Sequence, residues 1–357
     1  MDAPTFELER WFAEVEADAD VMLAESGVRS LPASEFDTDP GELGYVIPTN
    51  GEPALRAAIG ERYGRGADEV VCTVGTQEAN YLAFQSLLSP GDHAVVVTPT
   101  YQSLHAVPDT ICDVTRVGLQ APDWTLDVDA VAEAIQPDTE LVVLNNPNNP
   151  TGRQHDAETV QAVYDIAADA DAYLLGDEVY RQLSPDPAPA VASLGEHGLS
   201  TAGLSKSYGL AGCRFGWLAG AEHVVESAEE WKDYTTISPG KFGHHVAEQV
   251  FGVGDFDARE SELRQAALDH VATNAAITAE WAREHDLGWH DPVGCNALLD
   301  VPEGFADSRA FCRAVVDEAS VVLAPGDCFG VEGAFRIGFG LPTGELREGL
   351  ERVAGTL

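Results

Sequence analysis

The sequence predicts an α/β fold: a large domain with a mostly parallel sheet sandwiched by helices, and a smaller α+β domain beside it. Three observations support this prediction. Short runs of β-branched residues and leucine alternate with helical patterns from about residue 55 onward. From about residue 257 the pattern changes to a long helix rich in alanine, glutamate and arginine, followed by strand-like and helical pieces. The length of 357 residues leaves room for two lobes.

The elements of the large domain are assigned in chain order from the spacing of their apolar residues. Helical spacing predicts helices at residues 6–25, 54–64, 78–88 and 160–170. Short apolar runs predict strands at residues 70–74, 93–99, 113–119, 140–146, 172–178 and 200–205. Because these strands are separated by helices, right-handed βαβ units and a largely parallel sheet follow.

The domain boundaries are predicted from the change of pattern near residue 257. Residues 258–284 predict one long helix, and the pieces that follow resemble an α+β lobe. We expect residues 1–40 to form the N-terminal segment of the small domain and residues 41–256 to form the large one. Residues 257–357 then complete the small domain.

The charge of the chain is strongly negative, with 60 acidic and 20 basic residues and a formal net charge of -40. The acidic residues are spread along the chain. This charge argues against binding to nucleic acid or to an anionic membrane, because both need basic patches. Since self-repulsion of this size opposes compaction unless salt screens it, the composition predicts the cytosol of a halophile.

Apolar runs, cysteine spacing and histidine spacing predict a protein with no targeting segment, no disulfide bonds and no metal site. No apolar run reaches roughly eighteen residues and no signal-like segment opens the chain, so we expect a soluble, cytoplasmic protein. The six cysteines show no CxxC spacing, which favours reduced thiols. The pair His244-His245 has no third ligand at a suitable spacing, so no metal site is predicted.

Polar residues follow the predicted strands where each strand ends. In open parallel sheets, ligands bind beyond these carboxyl ends. Each group alone has an ordinary explanation, such as a tight turn or a helix cap. Together they provide an anion-binding helix start, an aromatic ring, an amide, a carboxylate, a phenol and an amine. In chain order they are Gly75-Thr76-Gln77, Tyr101, Asn149, Asp177, Tyr180 and Ser205-Lys206.

Lys206 is one of only three lysines in the chain, with Lys232 and Lys241, against 17 arginines. A solvated surface does not account for a lysine in a chain that scarcely uses lysine there. Imine chemistry needs a primary amine, which arginine cannot supply. A chemical role for Lys206 is therefore expected.

The motifs together resemble the class I/II family of fold-type-I aminotransferases, which depend on pyridoxal 5′-phosphate (PLP). SKSYGLAGCRFGW, from residue 205, resembles the lysine signature of that family. NNPNNPTG at residues 145–152 and DEVY at residues 177–180 resemble two further signatures, with order and spacing preserved. AFRIGFG, from residue 334, resembles the segment with the substrate-carboxylate arginine. The motifs extend over nearly the whole chain.

The resemblance implies PLP as the cofactor and a role for each residue. Lys206 is implied to form a Schiff base with the cofactor and then to move a proton as general base and acid. Asp177 is implied to keep the pyridine nitrogen protonated, and Arg336 to bind the substrate α-carboxylate. The other implied contacts are Asn149 and Tyr180 to the phenolic oxygen, Asn149 also to substrate, Tyr101 stacked on the ring, and Gly75, Thr76, Gln77, Ser205 and Arg214 at the phosphate.

Two positions depart from the pattern of the family. Gly203 stands three residues before the lysine, where the family usually has a phosphate-binding serine or threonine, and we expect Ser205 and Ser207 to compensate. Tyr45 is the candidate for a tyrosine that reaches into the site of a partner subunit. Its spacing to Gly51 is one residue longer than the pattern. The resemblance implies a homodimer with shared active sites.

The resemblance favours an aminotransferase that exchanges amino and keto groups between an amino acid and a 2-oxo acid. A PLP-dependent lyase or synthase, such as a carbon–sulfur lyase, would use the same residues for β- or γ-elimination or replacement. A non-catalytic regulatory domain is disfavoured because the full catalytic set is present. No second arginine is assigned to a distal carboxylate of the substrate, so the substrate side chain is not predicted.

Overall fold

A seven-stranded sheet forms the centre of the computed structural model, which describes residues 4–357. The twelve strands found in this range are β1 (Val21–Met22), β2 (Val70–Thr73), β3 (His93–Thr98), β4 (Asp113–Gly118), β5 (Thr139–Asn145), β6 (Tyr173–Asp177), β7 (Gly198–Gly203), β8 (Gly216–Ala219), β9 (Asn296–Asp300), β10 (Val321–Val322), β11 (Ala324–Pro325) and β12 (Ala334–Gly338). The order in the sheet is β2-β8-β7-β6-β5-β3-β4. Strands β3 to β7 pair in parallel, and only β8 is antiparallel to its neighbours β7 and β2. The predicted α/β fold with a mostly parallel sheet is confirmed.

Helices cover both faces of this sheet. Over residues 4–357 the α-helices are α1 (Glu7–Val15), α2 (Pro53–Glu61), α3 (Thr76–Leu87), α4 (Ser103–Asp109), α5 (Val128–Ala134), α6 (Ala157–Asp169), α7 (Glu222–Lys232), α8 (Lys241–Phe251), α9 (Glu260–Glu284), α10 (Ser308–Ala319) and α11 (Thr343–Ala354). Successive side chains of a strand point to opposite faces. Val96 of β3 accordingly packs in a core with α3 and α7, while Val95 packs in another with α5 and α6. This alternation produces the helix–sheet–helix sandwich.

The N-terminal segment packs with the C-terminal part of the chain. Strand β1 pairs in parallel with β10, and Trp11 of α1 donates a 2.8 Å hydrogen bond from Nε1 to the Leu323 carbonyl. A single apolar core contains Trp11, Val15 and Leu23 together with Phe311 and Phe335. Strands β11, β12 and β9 form an antiparallel sheet beside it. Residues from the two ends of the chain thus share one core, and the predicted domains, with boundaries at residues 40 and 256, stay a prediction.

The helix predicted over residues 6–25 is wrong in its second half. Helix α1 ends at Val15, a short 3₁₀ turn follows over Glu16–Asp18, and Val21–Met22 form β1. The apolar spacing in this segment is compatible with a helix, but pairing with Val321–Val322 overrides it. Strand β8, which no sequence pattern predicted, is a buried four-residue strand between β7 and β2.

The carboxyl ends of the parallel strands position the candidate site. Strands β5, β6 and β7 end at Asn145, Asp177 and Gly203, next to one another in the sheet. Helix α3 begins at Thr76 on the same side, because β2 enters the sheet antiparallel to β8 and leads directly into it. Within residues 4–357 no helix combines the length and apolar character that crossing a membrane requires. Nor do His, Cys, Asp and Glu residues gather into a metal-binding group in this part of the chain.

Candidate active site

A cavity of about 320 Å³ opens beyond the carboxyl ends of β5, β6 and β7. Ten of the twelve residues predicted for the site line it: Thr76, Gln77, Tyr101, Asn149, Asp177, Tyr180, Ser205, Lys206, Arg214 and Arg336. Gly75 lies beside it as the residue preceding α3. Tyr45 does not line it.

Asp177 is a buried carboxylate at the end of β6, with hydrogen bonds that fix its orientation. Asn80 donates from Nδ2 to Asp177 Oδ2 over 2.8 Å, and the Val179 amide donates to Oδ1 over 3.3 Å. Burial raises the pKa of Asp177 to about 6, and the two hydrogen bonds oppose that shift. A cationic group beside this carboxylate would therefore be strongly favoured.

The start of α3 and the Arg214 side chain form a cradle for an anion. Gly75 has a φ of +83°, and a side chain there would overlap the guanidinium of Arg214. Arg214 itself is left-handed, with a φ of +46°, a conformation that is costly for a residue with a side chain. Its Nη1 donates to Ser205 Oγ over 3.3 Å. The Thr76 hydroxyl is buried and has no hydrogen-bond partner in the structure.

Helix N-termini present free backbone N–H groups, so this cradle suits a phosphate group. Of the two serines expected to compensate for Gly203, Ser205 lines the cavity. Ser207 instead donates a 2.9 Å hydrogen bond from Oγ to the Val179 carbonyl. It is therefore engaged away from the cavity.

Lys206 projects into the cavity after β7, with its side chain 27% exposed. Its Nζ donates to Glu25 Oε1 over 3.1 Å. The charge of Lys206 lowers the pKa of Glu25, so this carboxyl is ionised at neutral pH. Sequence patterns did not single out Glu25, which lies in the segment after β1.

Arg336 is buried in β12, with 1% of its surface exposed. Its Nη1 donates to Asn149 Oδ1 over 2.8 Å and its Nη2 donates to the Ala24 carbonyl over 2.7 Å. Nε is buried without a partner. Because Asn149 uses its oxygen for Arg336, its amide donor is left for a ligand. A buried guanidinium with an unsatisfied donor suits a carboxylate.

Three other predicted residues surround the cavity. Tyr180 is 2% exposed, and burial raises the pKa of its phenol above the ordinary range. Tyr101 donates from its hydroxyl to Glu9 Oε1 over 3.2 Å, and its ring lies 5.2 Å from that of Phe6. Gln77 accepts a 3.0 Å hydrogen bond from Ser103 Oγ.

Tyr45 lies on the surface, 68% exposed, between the buried Val46 and the preceding loop. Its neighbours Leu43 and Ile47 are also exposed, by 69% and 77%. Within the residues described, the phenol of Tyr45 has no contact with the cavity of its own chain. Its predicted contact with a partner site stays a prediction.

The sequence reasoning missed several residues that shape the site. Asn80 lies one helical turn after Thr76, and that spacing is a signal that could have found it. Asn145 begins the NNPNNPTG segment; it donates from Nδ2 to the Asp177 carbonyl over 2.9 Å and accepts from the Asn149 amide over 2.6 Å. The α1 residues that line the cavity carried no motif: they are Leu8, Glu9 and Phe12.

Comparison with known proteins identifies the family of the chain. The family described as aminotransferase class I and II matches residues 23–353. The chain belongs to this family. Capreomycidine synthase of Streptomyces vinaceus is 31% identical over 377 aligned residues, which cover 99% of this chain and 94% of that protein.

Aminotransferases are also among the similar proteins. A probable aspartate/prephenate aminotransferase of Thermus aquaticus is 26% identical, over 96% of this chain and 90% of that protein. A solved PLP-dependent aminotransferase from Streptococcus suis 89-1591 has a TM-score of 0.93 at 29% identity, over 100% of this chain and 98% of that one. Family membership implies PLP as the cofactor.

The residues of the cavity fit this cofactor. The orphaned Thr76 hydroxyl, the start of α3 and Arg214 match the needs of its phosphate. The buried carboxylate of Asp177 suits a protonated pyridine nitrogen. That nitrogen would place a positive charge beside a carboxylate that burial has removed from water. The amine of Lys206 lies in the same cavity, where a carbonyl group of the cofactor can react with it.

Proposed function

We propose that the chain is an aminotransferase that moves an amino group between an amino acid and a 2-oxo acid. The observation that carries the proposal is that Asp177, Lys206 and Arg336 face one cavity. They provide a ring-nitrogen partner, an amine and a carboxylate anchor. Bound PLP supplies an electron sink that stabilises negative charge at the substrate Cα.

Lys206 is proposed to act as the base and acid of the reaction. Its amine would take a proton from the substrate Cα and, once protonated, would return it to the neighbouring carbon of the bound cofactor. Glu25 accepts a 3.1 Å hydrogen bond from Nζ, which keeps the amine directed into the cavity. Asp177 is proposed to hold the proton on the pyridine nitrogen through its buried, oriented carboxylate.

Arg336 is proposed to anchor the α-carboxylate of the substrate. The guanidinium is already held by Asn149 and the Ala24 carbonyl, so little entropy is lost when a carboxylate binds. Anchoring that group decides which bond at Cα stands perpendicular to the ring, and hence which bond breaks. The amide donor of Asn149 and the phenol of Tyr180 are proposed to contact the phenolic oxygen of the cofactor.

A second candidate function is a PLP-dependent lyase or synthase that eliminates or replaces a group at Cβ or Cγ. Capreomycidine synthase favours this candidate, since its 31% identity exceeds the 26% of the Thermus aquaticus aminotransferase. The same base and the same carboxylate anchor serve both reactions. Only the fate of the negative charge at Cα differs.

The two candidates are separated by adding amino acids one at a time to the holoenzyme and following the absorbance of the cofactor. Transamination converts the cofactor to its amine form in one half-reaction, and a 2-oxo acid restores the starting spectrum. Elimination instead releases a 2-oxo acid and ammonia while the spectrum returns unaided. Ammonia release without accumulation of the amine form would overturn the aminotransferase proposal.

We also propose a homodimer that shares its active sites. Two segments expose apolar side chains: residues 43–47 and residues 231–242, in which Tyr234 is 85% and Phe242 is 55% exposed. Lys232 connects the second segment to the chain just after the first, because its Nζ donates to the carbonyls of Thr49 and Ile237. Exposed apolar side chains that lie close together on the surface favour contact with another protein surface. We propose that this surface belongs to a second copy of the chain.

A salt-rich cytosol is proposed as the environment of the protein. The formal charge of -40 supports this proposal, because exposed carboxylates repel one another unless counter-ions screen them. The chain also carries only three lysines. Acid-rich, lysine-poor surfaces suit concentrated salt.

A further inference from the structure

Two carboxylates line the active-site cavity beyond Asp177. Glu25 lies beside Lys206, and Glu9 lies on α1 where the cavity meets solvent. Glu9 accepts a hydrogen bond from the uncharged Tyr101 hydroxyl and is not neutralised by an ion pair in the part of the chain described. The cations that line the cavity are Lys206, Arg214 and Arg336.

Each of these three cations has a task in the proposed function: the amine, the phosphate and the α-carboxylate. No cation of this chain is left on the cavity wall, within residues 4–357, for a second carboxylate of a substrate. The buried, unpartnered Nε of Arg336 marks the end where the α-carboxylate binds. Apart from Asp177, Glu9 is the lining carboxylate without a cationic partner among residues 4–357, so it is available to the far end of a substrate.

The wall formed by α1 suits a long side chain with an apolar stem. Leu8 and Phe12 are four residues apart on α1 and line the cavity together with Glu9. They offer apolar surface to methylene groups. Glu9 adds negative charge at the outer end, and Glu25 adds negative charge near the reacting amine.

Building on the proposed function, we propose that the substrate is an amino acid whose side chain ends in a cation, such as an ammonium or guanidinium group. Its stem packs against Leu8 and Phe12, and its cationic end is attracted by Glu9 and Glu25. A dicarboxylic substrate would bring a second unpaired negative charge beside that of Glu9. Like charges without partners discriminate strongly against a ligand.

Three amino acids of matched length test the proposal on the holoenzyme at fixed salt. Ornithine carries the cation, norleucine replaces the ammonium by a methyl group, and glutamate carries a carboxylate. We measure kcat/KM for the amine-forming half-reaction, and the dissociation constant from the change in cofactor absorbance. Ornithine is expected to exceed norleucine by about 10- to 100-fold, the effect of a hydrogen bond between charged groups.

Two variants assign the preference to the glutamates. Glu9→Gln and Glu25→Gln should each reduce the ratio of ornithine to norleucine about tenfold or more. Glu9 is the sharper case, since it does not contact Lys206 and a change in its ratio cannot come from the base. Glu16→Gln removes an exposed carboxylate just after α1 and should leave the ratio as it is.

The outcomes separate this inference from the proposed function. Turnover of norleucine or glutamate as fast as ornithine overturns the cationic substrate while transamination stands. A ratio unchanged in both glutamate variants overturns the assignment to this wall. If no member of a full amino-acid panel, including lysine and arginine, changes the cofactor spectrum, the proposed function and this inference fall together.

Discussion

Gly203 lies so close to Thr76 that a Cβ atom at residue 203 would come within 2.7 Å of Thr76 Oγ1. The same Cβ would lie 2.8 Å from the carbonyl oxygen of Phe215, and backbone cannot move aside as a side chain can. In strand β8, a Cβ at Gly216 would lie 2.6 Å from the Thr76 amide nitrogen. The start of α3 is thus packed directly on β7 and β8, which excludes the serine or threonine of the family pattern from position 203.

Introducing that family residue is therefore expected to harm the protein. Gly203→Ser should lower both the free energy of unfolding and the affinity for PLP, because Thr76 or β8 must shift, at a cost of about 1–3 kcal/mol. Gly203→Ala is the matched control, since it adds the Cβ without the hydroxyl and should behave in the same way. Tighter PLP binding by the serine variant alone would show that the hydroxyl fits and that the packing argument is wrong.

Lys206→Ala should bind PLP without covalent attachment and should lose several orders of magnitude in kcat, because the variant lacks the base. Borohydride reduction followed by peptide mapping should place the cofactor of the wild-type protein on Lys206. Lys232→Ala is not a suitable control because this buried lysine links two segments. Lys241→Ala, at the start of α8, serves instead. Recovery of the adduct on Lys241 would contradict the assignment.

Asp177 should make the stability of the apoprotein depend on pH. Burial raises its pKa from 3.8 to about 6, so its protonated form stabilises the native state. That contribution is complete below about pH 4 and is lost as the pH rises through 6, by up to about 3 kcal/mol. The free energy of unfolding of Asp177→Asn, measured from pH 4 to pH 8 in the same salt, should lack this loss.

Addition of PLP should reverse that relationship. The bound pyridinium compensates the carboxylate, so PLP should stabilise the wild-type protein more than Asp177→Asn at pH 8, and the variant should lose most of its kcat. Glu178, whose pKa burial raises to about 7, is present in both proteins, so the main cause of its shift is common to the two; the Asp177 charge adds a smaller part of that shift, which the variant lacks. Parallel pH profiles for the two apoproteins would show that the carboxylate of Asp177 is not desolvated.

The sequence predicted β3, β5 and β6 well because these strands are buried on both faces. A run of consecutive β-branched residues such as Val95, Val96 and Val97 is typical of a strand with both faces buried, and all three side chains are buried in the structure. Position 21 could not be assigned in this way, since two-residue β1 exists only through its contact with β10, 300 residues away in the chain. Short strands that depend on distant partners carry no local signal.

In the candidate site, too, residues in local motifs were predicted and residues placed by distant contacts were not. Lys206, Asp177 and Arg336 lie in contiguous motifs, and the fold brings them together in one cavity. Glu25 lies in the cavity because its backbone carbonyl packs directly on Gly338. A Cβ atom at residue 338 would overlap that carbonyl. No spacing along the chain reports a contact of that kind. Residues that select a substrate are therefore harder to predict than residues that perform the chemistry.

Salt is expected to raise the melting temperature of the protein over a range of about 0.1 to 3 M KCl, in which the screening length shrinks severalfold. The surface must tolerate a formal charge of -40, and screening reduces the repulsion between its carboxylates. The melting temperature is to be followed by circular dichroism at constant pH. A flat profile would contradict the halophilic environment and leave the chemistry of the site unaffected.

Tyr45 should contribute to the active site of a partner subunit. It is 68% exposed and does not line the cavity of its own chain, whereas Val46, at the spacing from Gly51 that the family pattern uses, is 3% exposed and points into the core. The one-residue offset therefore turns the phenol outward. Tyr45→Phe is expected to weaken the site, and dilution that produces monomers should lower specific activity.

Once Tyr45→Phe alone is shown to be clearly impaired, mixing it with the inactive Lys206→Ala variant decides whether this contribution is made in trans. If Tyr45 serves the partner, a heterodimer of Lys206→Ala and Tyr45→Phe subunits has one site with both lesions and one with neither. Statistical mixing should then recover about a quarter of the wild-type activity. If Tyr45 acts within its own subunit, every site keeps one lesion and mixing recovers nothing. Tyr81→Phe, which alters another exposed tyrosine, is the control and should recover half of the sites when mixed with Lys206→Ala, because only the lysine lesion is inactivating.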